Sequence, residues 1–230
     1  MTTVLITGAN RGIGLEHVRQ YADKGARVHA CCRDPESANE LKALANASGG
    51  KIVVHKFDQS RPEDAARLAG EIDEPIDILW NNAGTAGDRS NQVFGTAADT
   101  MNAVFDVNVT GPLRLSEALI GHVEKSDRKI IAMQSSQMGS IADNGSGGVY
   151  AYRASKAALN MVTRSMATDL ADKGVTVVAF HPGWVQTDMG GPNAKISTEE
   201  SVQGEQEVVD NLTIDRSGEF IRYSGEKLPW

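Results

Sequence analysis

This sequence lacks several features that would place it in a special class of proteins. Its two cysteines, Cys31 and Cys32, are adjacent. Because neighbouring strand residues point to opposite faces of a sheet, we expect two buried apolar side chains here rather than a disulfide. Aromatic residues make up only 5% of the chain, so ring stacking is not expected to dominate recognition. The sequence has no run of about 18 apolar residues and no basic and apolar leader, so we expect a cytoplasmic protein with no membrane partner.

Positive charge and metal ligands are also in short supply. The 230 residues carry 23 Lys and Arg against 30 Asp and Glu, which gives a formal net charge of −7. A nucleic-acid-binding protein needs a basic face, so we expect no nucleic-acid partner. The five histidines are scattered without metal-ligand spacing, and no Cys-x-x-Cys motif occurs. We therefore predict no metal site.

Short apolar runs alternate along the chain with amphipathic segments. The apolar runs predict strands covered on both faces, at Thr3–Thr7, Arg27–Cys32, Lys51–Lys56, Ile76–Asn81, Lys129–Gln134, Thr176–His181 and Glu219–Tyr223. The amphipathic segments predict helices, at Gly12–Lys24, Glu36–Ala47, Pro62–Glu71, Ala97–Asn108, Pro112–Lys125, Tyr150–Lys173 and Thr198–Asn211. Such an alternation favours an α/β fold: a single Rossmann-like, doubly wound domain over residues 1–230, with about seven parallel strands and helices on both faces.

Three connecting segments are rich in turn-forming residues: 88–95, 142–148 and 189–197. Ligands of an open α/β sheet bind outside the carboxyl ends of the strands. We therefore predict that these loops form the walls of a pocket.

A glycine-rich segment, Thr-Gly-Ala-Asn-Arg-Gly-Ile-Gly at 7–14, follows the first strand and opens the first helix. Gly8 suits a tight turn, Gly12 lets the backbone approach a pyrophosphate, and Gly14 lets the helix pack close to the strand. Free N–H groups at the start of the helix then face the phosphates. The predicted phosphate-binding residues are Gly8, Asn10, Arg11, Gly12, Ile13 and Gly14.

Four motifs in order along the chain resemble the short-chain dehydrogenase/reductase family. They are the glycine-rich segment with Thr-Gly-x-x-x-Gly-x-Gly spacing, Asn-Asn-Ala-Gly at 81–84, Tyr-Arg-Ala-Ser-Lys at 152–156, and His-Pro-Gly-Trp-Val-Gln-Thr-Asp at 181–188. The resemblance covers most of the chain and implies a nicotinamide cofactor and hydride transfer.

The end of the second predicted strand favours NADP(H). An NAD site usually places a carboxylate there to bind the ribose 2′-OH, whereas this sequence has Cys31 and Cys32 followed by Arg33. A guanidinium binds a 2′-phosphate bidentately, and the family resemblance implies the same role for Arg11. Asp34 leaves an alternative open, since its carboxylate suits a 2′-OH.

The family resemblance also implies the remaining cofactor contacts. Asp58 is expected at the adenine edge together with Gln59, although Asp58 also suits a helix cap near Pro62. The nicotinamide and ribose side is expected to be formed by Asn82, Ala83, Gly84, Pro182, Gly183, Val185 and Thr187.

Tyr152 and Lys156 are four residues apart and therefore share one face of a predicted helix. A nearby ammonium favours the phenolate and lowers the pKa of a tyrosine, so that Tyr152 can exchange a proton with a carbonyl oxygen. A hydroxyl of the Ser135–Ser136 pair can hold that oxygen. The resemblance implies that Ser136 is catalytic and that Asn108 binds a water that relays protons to Lys156.

Three stretches, at 135–141, 150–160 and 181–184, are similar to one branch of the family, the carbonyl reductases like sniffer and the bacterial C-factor. That branch implies NADPH-dependent reduction of a small aldehyde, ketone or quinone-like carbonyl, and a homo-oligomer, either a dimer or a tetramer. The alternative is a C-factor-like signalling or cofactor-sensing protein that binds NADP(H) with little turnover.

Overall fold

The centre of the protein is a parallel β-sheet. The computed structural model describes residues 1–87 and 94–230, and seven strands lie within that part of the chain, in the order β3-β2-β1-β4-β5-β6-β7. All neighbouring strands are parallel. The strands are β1 (Thr3–Thr7), β2 (Arg27–Cys32), β3 (Ile52–Lys56), β4 (Ile78–Asn81), β5 (Ile130–Gln134), β6 (Thr176–His181) and β7 (Phe220–Arg222). Three of the strands have the predicted bounds, three are shorter by one or two residues at the start, and β7 is shorter by one residue at each end.

Helices connect successive strands and cover both faces of the sheet. They are α1 (Gly12–Asp23), α2 (Asn39–Ala47), α3 (Pro62–Glu71), α4 (Ala98–Phe105), α5 (Gly111–Glu124), α6 (Tyr150–Asp169) and α7 (Thr198–Asp210). Single 3₁₀ turns lie at Gln137–Gly139, Ala171–Lys173 and Ile214–Arg216. The predicted doubly wound parallel sheet is therefore confirmed. Among the described residues, no helix is long and apolar enough to cross a membrane.

The alternation of side chains along the strands places a large hydrophobic core on each face of the sheet. Val4 and Ile6 of β1 pack on the face covered by α1 and α7, where Trp80 is fully buried. Leu5, between them, points to the opposite face and joins Leu115 and Leu159 from α5 and α6. Neighbouring residues of a strand face opposite sides, so an unbroken apolar run is what a sheet with two covered faces requires.

Of the predicted helices, Pro62–Glu71 has its predicted bounds, and three others differ by a single residue at one or both ends. The helix predicted at Tyr150–Lys173 ends instead at Asp169, and a 3₁₀ turn follows at Ala171–Lys173.

The remaining two predicted helices differ from the structure by three residues at one end, for local reasons. The second begins at Asn39 rather than Glu36, because Asp34 forms a turn in which its carboxylate accepts the Glu36 N–H and its carbonyl accepts the Ser37 hydroxyl. The fourth ends at Phe105 and continues as a π-helical turn over Asp106–Thr110. Such turns inside helices occur mostly at functional sites.

The position of β1 in the sheet determines where a ligand crevice forms. From β1 the chain builds β2 and β3 to one side, then returns to build β4 through β7 on the other. At such a switch point the loops beyond β1 and β4 diverge, and their separation opens a crevice at the carboxyl ends of the strands. The glycine-rich segment after β1 and residues 82–84 after β4 both lie at this crevice.

Candidate active site

A cleft of about 840 Å³ opens at this crevice. Sixteen of the twenty predicted site residues line it: Gly8, Asn10, Arg11, Gly12, Ile13, Gly14, Arg33, Asp58, Gln59, Asn82, Ala83, Gly84, Tyr152, Lys156, Pro182 and Thr187. The structure thus brings together residues that are up to 179 positions apart, and the volume lies in the usual range for a small-molecule or cofactor site. The four that do not line it are Asn108, Ser136, Gly183 and Val185.

Glycine is required at positions of the 8–14 segment where the backbone has a left-handed conformation or lies against another stretch of backbone. Gly8 has a φ of +67°, a left-handed conformation that disfavours side chains. A Cβ on Gly14 would lie 2.2 Å from the Gly8 carbonyl oxygen. The loop therefore turns back on the first turn of α1, and its surface stays free for a phosphate to approach the helix N-terminus.

The loop after β4 is tied to the loop after β1. The Asn82 side chain donates to the Thr7 carbonyl at 2.8 Å, and the Ala83 N–H donates to the Thr7 hydroxyl at 2.9 Å. Gln59 donates to the Ala83 carbonyl at 3.1 Å and also to the Val107 carbonyl. The side chains of Asn82 and Gln59 thus line the cleft, and their hydrogen bonds to backbone carbonyls also fix the loops that form it.

The structure separates the two candidates for recognising the cofactor's 2′ position. Arg33 is exposed and lines the cleft, whereas Asp34 does not line it. The Asp34 carboxylate serves its own turn instead, and hydrogen bonds from Ser37 lower its pKa. This arrangement favours the 2′-phosphate of NADP(H), which a guanidinium recognises.

Asp58 lies at the cleft, but it does not cap the helix that begins at Pro62. Its carboxylate accepts hydrogen bonds from the N–H and hydroxyl of Ser60. Burial raises the pKa of Asp58, but the Ser60 hydrogen bonds and the nearby Arg33 and Arg61 outweigh it, so the pKa is held below its ordinary value. The helix cap near Pro62 is different from the one predicted, because the N-cap residue of α3 is Arg61.

Lys156 and Tyr152 form the buried end of the cleft. Lys156 is 4% exposed and Tyr152 is 8% exposed. The Lys156 Nζ donates to the carbonyl of Gln134, the last residue of β5, at 2.8 Å, and lies 5.7 Å from the centre of the Tyr152 ring. Burial lowers the pKa of Lys156 from 10.5 to about 8. At neutral pH this leaves an ammonium beside the tyrosine, as the predicted proton exchange requires.

The two serines after β5 are held differently. The Ser135 hydroxyl donates to the Asn160 side chain at 2.6 Å, so its hydrogen is committed to the core. The Ser136 oxygen accepts the Met138 N–H at 3.2 Å, which leaves its hydrogen available for a ligand. Ser136 is 9% exposed. It does not line the cleft, whereas its neighbour Ser135 does.

Asn108 lies in the π-helical turn, fully buried behind Gly84. Its side chain accepts the Thr85 N–H at 2.8 Å and donates to the Thr85 carbonyl at 2.8 Å and to the Ser155 hydroxyl at 3.0 Å. A Cβ on Gly84 would meet the Asn108 oxygen at 3.3 Å and the Lys156 Nζ at 3.4 Å. Asn108 is therefore close to Lys156, separated from the open cleft by glycine backbone.

The loop after β6 contributes only part of its predicted contacts. Pro182 and Thr187 line the cleft, and the Ser201 hydroxyl of α7 fixes the Pro182 carbonyl at 2.6 Å. Gly183 faces the other way, since a Cβ there would meet Ile196 at 2.5 Å. Val185 is buried and pairs with Ile196 in an isolated bridge, so its side chain belongs to the packing of this loop.

The turn-rich loops differ in their positions. Segment 189–197 contributes Met189 to the cleft, whereas 142–148 contributes no lining residue and is exposed over 142–147. Most of the predicted wall at 88–95 lies outside the described residues.

Sequence reasoning missed two polar pairs in this region. Arg11 of the glycine-rich segment forms an ion pair at 2.7 Å with Asp188 across the cleft. Glu205 of α7 is fully buried against His17 of α1. The second pair had a sequence signal, because both residues interrupt the apolar face of an amphipathic helix.

The sequence of the protein matches a known family over most of its length. The sequence model described as short chain dehydrogenase matches residues 2–197. The chain belongs to the short-chain dehydrogenase family. A curated relative, the C-signal protein of Myxococcus xanthus, is 46% identical over 156 residues, which are 68% of this chain and 93% of that protein.

Solved structures of the family have the same fold along the whole chain. The NADPH-bound carbonyl reductase from chicken fatty liver is 34% identical with a TM-score of 0.94, over 100% of this chain and 99% of that one. The carbonyl reductase Sniffer of D. melanogaster is 31% identical with a TM-score of 0.94, over 100% of both chains. The predictions of the family, its sniffer- and C-factor-like branch and an oxidoreductase are confirmed, and the prediction of NADP(H) agrees with the NADPH-bound structure.

Proposed function

We propose that this short-chain dehydrogenase reduces small aldehydes, ketones or quinone-like carbonyls with NADPH. One observation carries the proposal: Lys156, held by the Gln134 carbonyl, lies over the Tyr152 ring at the inner end of a cleft that fits a dinucleotide. We further propose that residues 1–230 act as one domain, in the cytoplasm, as a homodimer or homotetramer.

The residues of the cleft fit NADP(H). A pyrophosphate requires free backbone N–H groups at a helix start and no side chain in the way, which the close approach of Gly14 to Gly8 supplies. A 2′-phosphate requires a cation, and Arg33 is exposed where the second strand ends. We assign the adenine side to Asp58 and Gln59, and the nicotinamide side to Pro182 and Thr187.

When bound, NADPH supplies the hydride that adds to the carbonyl carbon, while the protein supplies orientation and a proton. The Ser136 hydroxyl donates a hydrogen bond to the carbonyl oxygen and thereby fixes its direction. Tyr152 donates a hydrogen bond to the same oxygen and passes its proton to it as negative charge develops. The product is an alcohol, and Tyr152 is left as a phenolate.

Lys156 makes the loss of that proton easier. An ammonium at this distance in a site of reduced dielectric stabilises the phenolate. Because the pKa of Lys156 is about 8, the ammonium is present at neutral pH and is lost as the pH rises above 8. Asn108, buried beside Gly84, is proposed to hold the water through which Lys156 recovers a proton.

The test is NADPH oxidation against a panel of isatin, phenanthrenequinone, aromatic aldehydes and diketones, with NADH in parallel. Turnover with NADPH on one or more of these carbonyls is the expected result. NADPH binding measured by fluorescence, with no oxidation across the panel, would contradict the proposal. That outcome would favour the alternative, a cofactor-binding signalling protein. The alternative is suggested by the 46% identity to a protein named C-signal.

A further inference from the structure

A buried carboxylate lies beneath the site and has no part in the steps above. Glu205 of α7 is 0% exposed. One of its oxygens is 3.0 Å from His17 Nε2 on α1, and the other accepts a hydrogen bond from the Gln134 side chain at 2.7 Å. A carboxylate in a protein core carries a desolvation cost of several kcal/mol unless hydrogen bonds offset it, so its presence there calls for an explanation.

The protons of this cluster can be assigned from the partners of each atom. His17 faces the carboxylate with Nε2 and the Gln206 amide with Nδ1, at 3.5 Å. The Nε2 nitrogen therefore carries the hydrogen donated to Glu205, and Nδ1 accepts from the Gln206 NH₂ group. Glu205 thus accepts two hydrogen bonds, one from His17 and one from Gln134.

Gln134 connects this cluster to the reacting groups. Its side chain is held by Glu205, and its own carbonyl accepts the hydrogen bond from Lys156 at 2.8 Å. Gln134 ends β5 and is followed directly by Ser135 and Ser136. A residue at a strand end has fewer ladder bonds than one inside the strand, so a side-chain anchor there limits the movement of its carbonyl.

We propose that Glu205 is a positioning residue: it anchors the Gln134 side chain, and so holds the Gln134 carbonyl where Lys156 is directed at Tyr152. The inference rests on the proposed function only for the role of Lys156. The same contacts join α1, which begins at the phosphate loop, to α7, which fixes the Pro182 carbonyl. Glu205 therefore links both ends of the cleft to the carbonyl that holds Lys156.

An apolar residue would serve packing alone at lower cost. Beyond Gln134 and Gln206, apolar side chains flank the pair: the Trp80 ring lies 4.2 Å from that of His17, and Val202 and Val209 lie beside Glu205 on α7, both fully buried. Replacing both partners of a buried hydrogen bond by apolar side chains of the same shape can be nearly neutral or stabilising. Substitutions at Glu205 can therefore distinguish a structural role from a positioning role.

Two substitutions of Glu205 test the anchor. The amide introduced by Glu205→Gln can accept from Gln134 and donate to His17 Nε2, while His17 Nδ1–H donates to the Gln206 oxygen after an amide flip. The hydrogen bond to Gln134 is kept although the charge of Glu205 is lost, so kcat is expected within about threefold of the parent. Glu205→Leu removes the anchor, and kcat at saturating NADPH is expected to fall about 10- to 100-fold.

A readout on Lys156 itself needs no substrate and no bound cofactor. The rate of its acetylation by acetic anhydride is measured against pH in the free protein, by peptide mass spectrometry. A displaced carbonyl stabilises the ammonium less, so the midpoint pH for Lys156 is expected to fall by about 0.5 unit or more in Glu205→Leu. The same shift is expected in Gln134→Met, which breaks the anchor from its other side, and no shift in Glu205→Gln.

Tyr21→Phe is the matched control, since it removes a different buried hydrogen bond of the same core, the one from Trp80 Nε1. It is expected to lower stability without moving the Lys156 midpoint or kcat. If Glu205→Leu behaves like Tyr21→Phe, the role of Glu205 is structural and the proposal is wrong. If Glu205→Gln is as impaired as Glu205→Leu, charge rather than the anchor matters, which also overturns it. A shifted midpoint with no carbonyl reduction by the parent protein would refute the proposed function alone.

Discussion

The two ends of the cleft are built in different ways. The end that we propose for the phosphates, called the phosphate end below, consists of glycine backbone and of arginines that reach it from the solvent, and the Arg11 side chain is 68% exposed. The end that we propose for catalysis, called the catalytic end below, consists of buried polar side chains: Lys156 is 4% exposed, and Asn108 and Ser155 are 0% exposed. Solvent screens exposed charges, whereas a fixed hydrogen bond in a region of low dielectric is strong and specific.

This difference predicts what each end controls. Exposed arginines can adjust to a ligand, so substitutions among them should change affinity and cofactor choice. Buried groups are fixed before the substrate arrives, and such pre-organisation acts on the chemical step. Substitutions at the catalytic end should therefore change kcat and the stability of the fold more than cofactor affinity.

The largest effect is expected for Tyr152→Phe. Loss of a general acid lowers kcat by about 10²- to 10⁴-fold, whereas the affinity for NADPH should stay within about threefold, since the phosphate end is untouched. Steady-state kinetics and fluorescence titration with NADPH measure the two quantities. Tyr150→Phe is the matched control, because Tyr150 lies on the same helix but does not line the cleft. Retained turnover in Tyr152→Phe would rule out the assigned role.

Arg33→Asp should change cofactor choice by about 10- to 100-fold in relative kcat/KM, from NADPH toward NADH, because a charge-assisted hydrogen bond contributes about 1.5–3 kcal/mol. The values are obtained from initial rates with each cofactor. Arg61→Asp reverses an exposed charge nearby, at a residue that does not line the cleft, and should leave the ratio unchanged. An unchanged ratio in Arg33→Asp would show that this residue does not recognise the 2′-phosphate.

Lys156→Met should stabilise the free protein while it abolishes its proposed activity. Because burial lowers the pKa of Lys156 from 10.5 to about 8, the folded state binds fewer protons than the unfolded state between these values. The parent's free energy of unfolding therefore rises with pH across this interval. Below pH 8 the variant is expected to be more stable by about 2 kcal/mol, after allowance for the lost bond to Gln134.

Urea denaturation at pH 7 and at higher pH measures this difference. The advantage of Lys156→Met should decrease as the pH rises from 8 toward 10.5, because the parent then loses its buried charge. Lys125→Met, at an exposed position of the same charge, should show neither the gain nor the pH dependence. A constant difference between Lys156→Met and the parent across this pH range would contradict the buried ammonium.

The smallest effect is expected for Asp188→Asn. Its ion pair with Arg11 is exposed on both sides, and such pairs contribute about 0–1 kcal/mol. Release of Arg11 should strengthen NADPH binding by about two- to threefold at low salt, and high salt should erase the gain. Asp215→Asn removes the same charge away from the cleft and is the control for net charge. Weaker NADPH binding in Asp188→Asn would mean that the pair itself helps to close the cleft.

Local patterns predicted the elements but not every end. The apolar run of β1 and the glycine-rich segment after it predicted strand, turn and helix correctly, because each depends on residues within one short stretch. Asn108 was expected at the end of an uninterrupted helix. It lies instead in a π-helical turn, which tertiary hydrogen bonds to Thr85 and Ser155 favour and no local pattern shows.

The positions of the candidate site residues were predictable where those residues belong to compact motifs. Tyr152 and Lys156 are one helical turn apart, so the helix alone places them together. The acceptor of the Lys156 hydrogen bond is 22 positions away, on β5. It is a backbone carbonyl, which every residue has, so residue types do not reveal it. The choice between Arg33 and Asp34 also required the structure, because only the turn shows which of the two faces the cleft.

The sequence by itself determined the parallel sheet, the glycine-rich turn that opens α1 and the tyrosine–lysine pair, since these follow from periodicity and from spacings within single elements. Only the tertiary structure decided which buried polar groups meet. Glu205 reaches His17 across 188 positions and Gln134 across 71, and contacts between distant segments depend on how three elements pack. A buried hydrogen bond needs an angle and a distance that packing alone provides.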